Sequence, residues 1–187
     1  MNLPDDAGVV LTGLARFAIA KALRVVVPAP ADAAWLDTQG ASFVTLTQDG
    51  QLRGCIGSLQ AWRTLRDDVI SNAQAAALHD PRFMRMQASE LPVTRIEVSV
   101  LSTPQPMQFS SRADALAQLR PGVDGVILSA VGLRATFLPQ VWDELPNPEQ
   151  FIGHLLRKAG LASTYWSDAV TLSRYTVTAF IEDEPNP

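Results

Sequence analysis

Phe43-Val44-Thr45-Leu46-Thr47-Gln48-Asp49-Gly50-Gln51-Leu52-Arg53-Gly54-Cys55-Ile56-Gly57-Ser58-Leu59 is the stretch around which the chain is organised. Its central Asp49-Gly50 pair is the short-range signal for a two-residue turn, so the stretch predicts a strand, a tight reversal and a return strand. The return strand carries Cys55, the single cysteine of the chain, between Gly54 and Gly57 and two places after Arg53. Regular alternation would set Arg53 and Cys55 on one face and Leu52 and Ile56 on the other. Glycine holds a strand together poorly, so Gly54 and Gly57 predict a bulge or a backbone that something approaches closely. A guanidinium beside a thiol stabilises the thiolate, which makes Cys55 a candidate nucleophile or site of modification. The competing reading is a small buried apolar cysteine whose glycines only turn the chain.

Outward from this hairpin the periodicities are mixed. Asp5 and Asp6 precede an apolar stripe at helical spacing, Leu11, Leu14, Ala15, Ala18 and Ala22. A second helix is predicted by Leu65, Val69, Ala73, Ala76 and Ala77, with Asp67 and Asp68 near its start as compensation for the helix dipole. It ends before Pro81, which places His79, Asp80 and Arg82 on a loop of the kind that carries function. Thr94 to Ser102 alternates as a half-buried strand, with Ile96, Val98 and Val100 opposite Glu97, Ser99 and Leu101. Ser110 or Ser111 caps a short helix, and Val131-Gly132 turns a second hairpin between 125–130 and 133–138. Pro139, Gln140, Val141, Trp142 and Asp143 follow it and suit an edge or cleft wall. Asn147 and Pro148 start a helix ended by Gly160, residues 170–181 read as one long strand, and 182–187 as a frayed acidic tail.

These blocks, taken in order, resemble the AMMECR domain family, also called AmmeMemoRadiSam system protein A. The resemblance rests on Leu52 to Ser58, on Asp80-Pro81-Arg82-Phe83 with Glu90-Leu91 and Ile96 to Ser102, on Pro121 to Gly125 with Thr136 to Trp142, and on Phe151, Leu155 and Lys158 to Leu161. It spans nearly the whole chain and implies a fold and no particular reaction. It raises Asp80 and Arg82 above His79 as site residues. The system name implies work beside a radical-SAM protein and a Memo-like protein.

The 187 residues make a single AMMECR-like domain over 1–187, with room for a small lobe, and bury roughly 70% of their unfolded surface. Strands run in pairs with helices before and between them, which predicts an α+β fold: a largely antiparallel sheet flanked by helices, with a smaller second lobe. One cysteine excludes an internal disulfide, and no apolar leader follows a basic start, so a cytoplasmic protein is expected. No run approaches the ~20 apolar residues of a membrane span. The net charge of −4, without any dense basic run, disfavours nucleic acid. There is no HExxH, paired-cysteine metal motif, P-loop, GxGxxG or GxSxG, so neither metal nor cofactor is expected. What the residues favour is a cleft lined by Arg53, Gly54, Cys55, Gly57, Asp80, Arg82 and Gln140. It would hold a small anionic molecule or a partner's peptide. Arg53 and Arg82 recognise the anion, Gln140 orients it, and Cys55 is the nucleophile if the protein is instead a cysteine-dependent enzyme. A regulator linked to nucleic acid is the weaker alternative.

Overall fold

A computed structural model describes residues 3–182. The elements are α1 (Ala7–Leu23), β1 (Gln39–Gly40), β2 (Ser42–Gln48), β3 (Gln51–Gly57), β4 (Arg63–Thr64), α2 (Leu65–Leu78), β5 (Arg95–Leu101), β6 (Gln105–Pro106), α3 (Arg112–Ala117), β7 (Gly125–Ala130), β8 (Leu133–Phe137), α4 (Val141–Glu144), α5 (Pro148–Lys158), β9 (Thr171–Tyr175) and β10 (Val177–Ile181). The fold is α+β, with antiparallel sheets as the sequence predicts. The chain divides into two compact units, 1–101 with 178–187, and 102–177.

In the first unit a four-stranded sheet runs β10-β5-β2-β3, and β1 pairs with β4 separately. The β2–β3 hairpin turns at Asp49 and Gly50, whose φ of 49° and 74° are the paired positive values of a type I′ turn. Val44, Leu46, Ile96, Val98 and Val100 point from one face of the sheet into a core shared with Leu11, Leu14 and Ile19 of α1 and with Val69, Ala73 and Ala76 of α2. Alternation along β2 and β5 therefore leaves Phe43, Thr45, Glu97 and Ser99 on the opposite face.

The start of α2 departs from expectation at one carboxylate. Asp67 does the ordinary work at a helix start: its N–H donates to the Thr64 hydroxyl, which in turn donates to its carboxylate. Asp68 is wholly buried. It accepts hydrogen bonds from the Ser42 N–H and hydroxyl, from Asn72 Nδ2, from the Ser58 hydroxyl and from Arg63 Nε, at 2.7–2.9 Å. One side chain thus fastens the open end of the hairpin to the helix.

The second unit has a four-stranded sheet ordered β6-β9-β7-β8. Its hairpin turns at Val131 and Gly132, φ 46° and 80°. Ser111 caps α3, Asn147 caps α5, and Gly160 follows α5 at φ 88°. Trp142, expected at an edge, is instead 2% exposed. Its ring stacks on Phe151 at 3.7 Å and its indole N–H donates to the Asp124 carbonyl at 2.7 Å. A stacked indole with its one donor satisfied is core, not wall.

The single long strand expected over 170–181 is two. β9 belongs to the second unit's sheet and β10 to the first unit's, with Thr176 between them. The Thr176 carbonyl and N–H bond the Ser102 N–H and hydroxyl, which ends one ladder before the next begins. Of the tail expected at 182–187, all but Glu182 lies outside the described residues.

Replacing Asp68 with alanine would leave the Ser42 N–H and the Arg63 charge without their partner. We expect Asp68→Ala to lower unfolding free energy by about 3 kcal/mol or more, read by urea denaturation, against under 1 kcal/mol for Asp67→Ala.

Candidate functional site

β3 is an edge strand, and it is not regular. Leu46 faces Gly54 and Thr47 faces Leu52, so Arg53 has no opposite residue and forms a bulge. The bulge reverses the alternation before it. Thr45 and Thr47 share a face of β2, so their partners Cys55 and Leu52 share that face too, which corrects the expectation that Leu52 lies opposite Cys55. Arg53 is turned out of the pattern. Its Nε donates to Glu90 Oε1 at 2.8 Å and its Nη2 to Oε2 at 3.3 Å, with the side chain 14% exposed. The Arg53 guanidinium therefore holds Glu90 in place; it does not supply the charge beside the sulfur. Glu90 is held below the usual carboxylate range, chiefly by this hydrogen bond.

The two glycines are framework residues. A Cβ on Gly54 would lie 2.3 Å from the Ala76 carbonyl oxygen of α2, and one on Gly57 would lie 2.2 Å from the Phe43 ring. Gly54 is what allows the bulged strand to meet the backbone of the helix.

Asp80 follows α2 directly, and its side chain is 1% exposed. Its Oδ2 accepts the Cys55 N–H at 2.9 Å, while both oxygens take the Arg82 guanidinium, Oδ1 from Nε at 3.0 Å and Oδ2 from Nη2 at 2.7 Å. Arg82 Nη2 also donates to the Cys55 carbonyl at 3.2 Å. The guanidinium is 54% exposed, so its outer edge is open to solvent. Its pKa is pushed up, first by Asp80 and to a smaller degree by the neighbouring Cys55 thiol. The positive group next to Cys55 is thus Arg82.

Cys55 itself is partly exposed, and the Thr45 hydroxyl donates to its sulfur at 3.4 Å. Thr45 lies between Cys55 on β3 and Glu97 on β5, and Glu97 Oε1 accepts the Ser99 hydroxyl at 3.1 Å. Cys55, Asp80 and Arg82 are brought together, while His79 is exposed beyond them. Gln140 is an exposed residue of the second unit. Thr45 escaped notice in the sequence because a threonine in a strand carries no signal until register puts it opposite the cysteine. No grouping of histidine, cysteine and carboxylates that could hold a metal ion occurs among the described residues.

Arg82, with help from the Cys55 and Arg82 N–H groups, holds Asp80 far below the usual carboxylate range, against the opposing effect of its burial. The folded value lies below the unfolded one, so this stabilisation is complete above about pH 4 and is lost as pH falls toward the folded value. Urea unfolding between pH 7 and 2 should therefore show wild-type stability dropping more steeply below pH 4 than that of Asp80→Asn. Parallel curves would contradict the assignment.

Comparison with known proteins agrees with the fold over nearly the whole chain. The AMMECR1 family model matches residues 12–180. A protein of Methanothermobacter thermautotrophicus is 37% identical over 187 residues, covering 97% of each chain. One of Thermofilum pendens is 33% identical, over 98% of this chain and 93% of its own. The crystal structure of an uncharacterized protein from Pyrococcus horikoshii is 30% identical and superposes with a TM-score of 0.79, covering 98% of this chain and 95% of that one. With the hairpin, the Asp80 loop and the whole of the second unit inside the matched span, the chain belongs to the AMMECR1 family.

Proposed function

We propose that the protein is a binding component whose site is the edge of β3 at Cys55, where Arg82 offers a guanidinium to an anionic group. The observation that carries this reading is the geometry of Arg82: one side is fixed by a buried carboxylate, and the other side is exposed beside a partly exposed thiol. A guanidinium held in this way loses little freedom on binding and can present parallel donors to a carboxylate or phosphate. The ligand is a small anionic molecule or an acidic peptide segment of a partner. A radical-SAM protein and a Memo-like protein are the partners that the family resemblance suggests. Arg53, Gly54 and Gly57 serve this site by shaping β3. No helix among the described residues is long and apolar enough to cross a membrane.

A second reading is supported by the Thr45 hydroxyl at the sulfur. Thr45 donates to the sulfur and Arg82 to the Cys55 carbonyl, so the thiol is held in one place at a partly exposed edge, as a cysteine-dependent enzyme requires. Under it, iodoacetamide alkylates Cys55 in the folded protein, and Thr45→Val or Arg82→Ala changes the rate of that alkylation at fixed pH; equal rates in all three proteins would contradict this reading.

Under the binding reading, affinity purification with the two suggested partners recovers at least one of them, and Arg82→Ala weakens the interaction about ten-fold or more. Cys55→Ser weakens it far less. Recovery of neither partner, or equal binding by Arg82→Ala, would count against the proposal.

A further inference from the structure

The second unit carries a pocket of about 430 Å³ that the β3 site does not use. Arg112 of α3, His154 and Arg157 of α5, and Ser163 and Thr164 of the following loop line it, with Glu149 at the rim. Arg112 is the fixed member. Its Nη2 donates to Glu149 Oε1 at 2.7 Å and to the Ser163 carbonyl at 3.2 Å, and its guanidinium lies 5.6 Å from the centre of the Trp166 ring. The side chain is only 20% exposed, and Nε is buried with no hydrogen-bond partner.

His154 and Arg157 stand one turn apart on the exposed side of α5. Among the described residues neither side chain makes a hydrogen bond or ion pair, and the Ser163 and Thr164 hydroxyls are equally without partners. The pocket therefore gathers two guanidiniums, an imidazole and two hydroxyls against one exposed carboxylate. These groups have donors to spare and an excess of positive charge.

We propose that this pocket binds a phosphate monoester. A tetrahedral dianion accepts hydrogen bonds on three oxygens, which matches donors arriving from α3, α5 and the loop, and planar guanidiniums can meet it two-pronged. The volume exceeds what a phosphate group fills and leaves room for a small organic portion. Glu149, 61% exposed, can swing away from Arg112 as the anion arrives.

The test is isothermal titration of the full chain with glycerol 3-phosphate and with inorganic phosphate at constant ionic strength. Saturable binding is expected that persists in an Arg82→Ala background, where the β3 site is disabled, and that Arg157→Gln weakens about ten-fold or more in either background. Arg157 is exposed and its side chain holds no other part of the fold, so the variant keeps its structure. Absence of saturation with both probes, or undiminished binding by Arg157→Gln, would overturn the proposal. Loss of binding in Arg82→Ala alone would place the anion at the β3 site and would also overturn it, while supporting the reading given for that site.

Discussion

A buried carboxylate is tolerated only when its charge is matched and its lone pairs are filled, and Asp80 meets both conditions through Cys55 and Arg82. An edge strand ordinarily leaves every second N–H and C=O open to pairing with another chain. At Cys55 both are taken, the N–H by Asp80 and the carbonyl by Arg82. The two side chains stand where a neighbouring strand would stand. This closes the edge, fixes the backbone that carries the sulfur and holds a guanidinium beside it.

The same helix is tied to the hairpin at both of its ends. Asp68, in its first turn, gathers Ser42 and Ser58 at the open end of β2 and β3, while Asp80, just past its last turn, takes the Cys55 N–H. Between these two points Gly54 lets the strand lie against the Ala76 carbonyl. The rigidity expected at the candidate site therefore comes from two buried carboxylates and one missing side chain, more than from the apolar packing that any α+β unit would have. A substitution that loosens α2 should be felt at Cys55 without touching it.

Much of the fold could be read from local chemistry. Asp49-Gly50 turns where such a pair must, because positive φ at two successive positions leaves few other choices; at the second hairpin only Gly132 favours the turn, and the β-branched Val131 takes φ 46° against its own preference. Asn147 and Gly160 bound α5 for equally local reasons. What depended on distant partners was not legible. The bulge at Arg53 follows from the meeting of Gly54 with α2 and of Arg53 with Glu90, residues 22 and 37 positions away. Asp68 looked like its neighbour Asp67 because helix-dipole arguments do not distinguish a carboxylate that faces solvent from one that faces a hairpin. The break at Thr176 depends on Ser102, far back in the chain. The cluster of Cys55, Asp80 and Arg82 was legible as a set of residues, but the assignment of the guanidinium was not, since nearness in sequence favoured Arg53.

The Cys55 amide proton is the direct reporter of the central contact. Native-state hydrogen exchange, followed residue by residue by NMR, should show this edge-strand amide protected to nearly the level of the Val44 and Leu46 amides inside the sheet, and the protection should collapse in Asp80→Ala while Val44 and Leu46 keep theirs. A Cys55 amide that exchanges in the wild type as fast as an open edge would contradict the account, because Asp80 would then not be holding the strand.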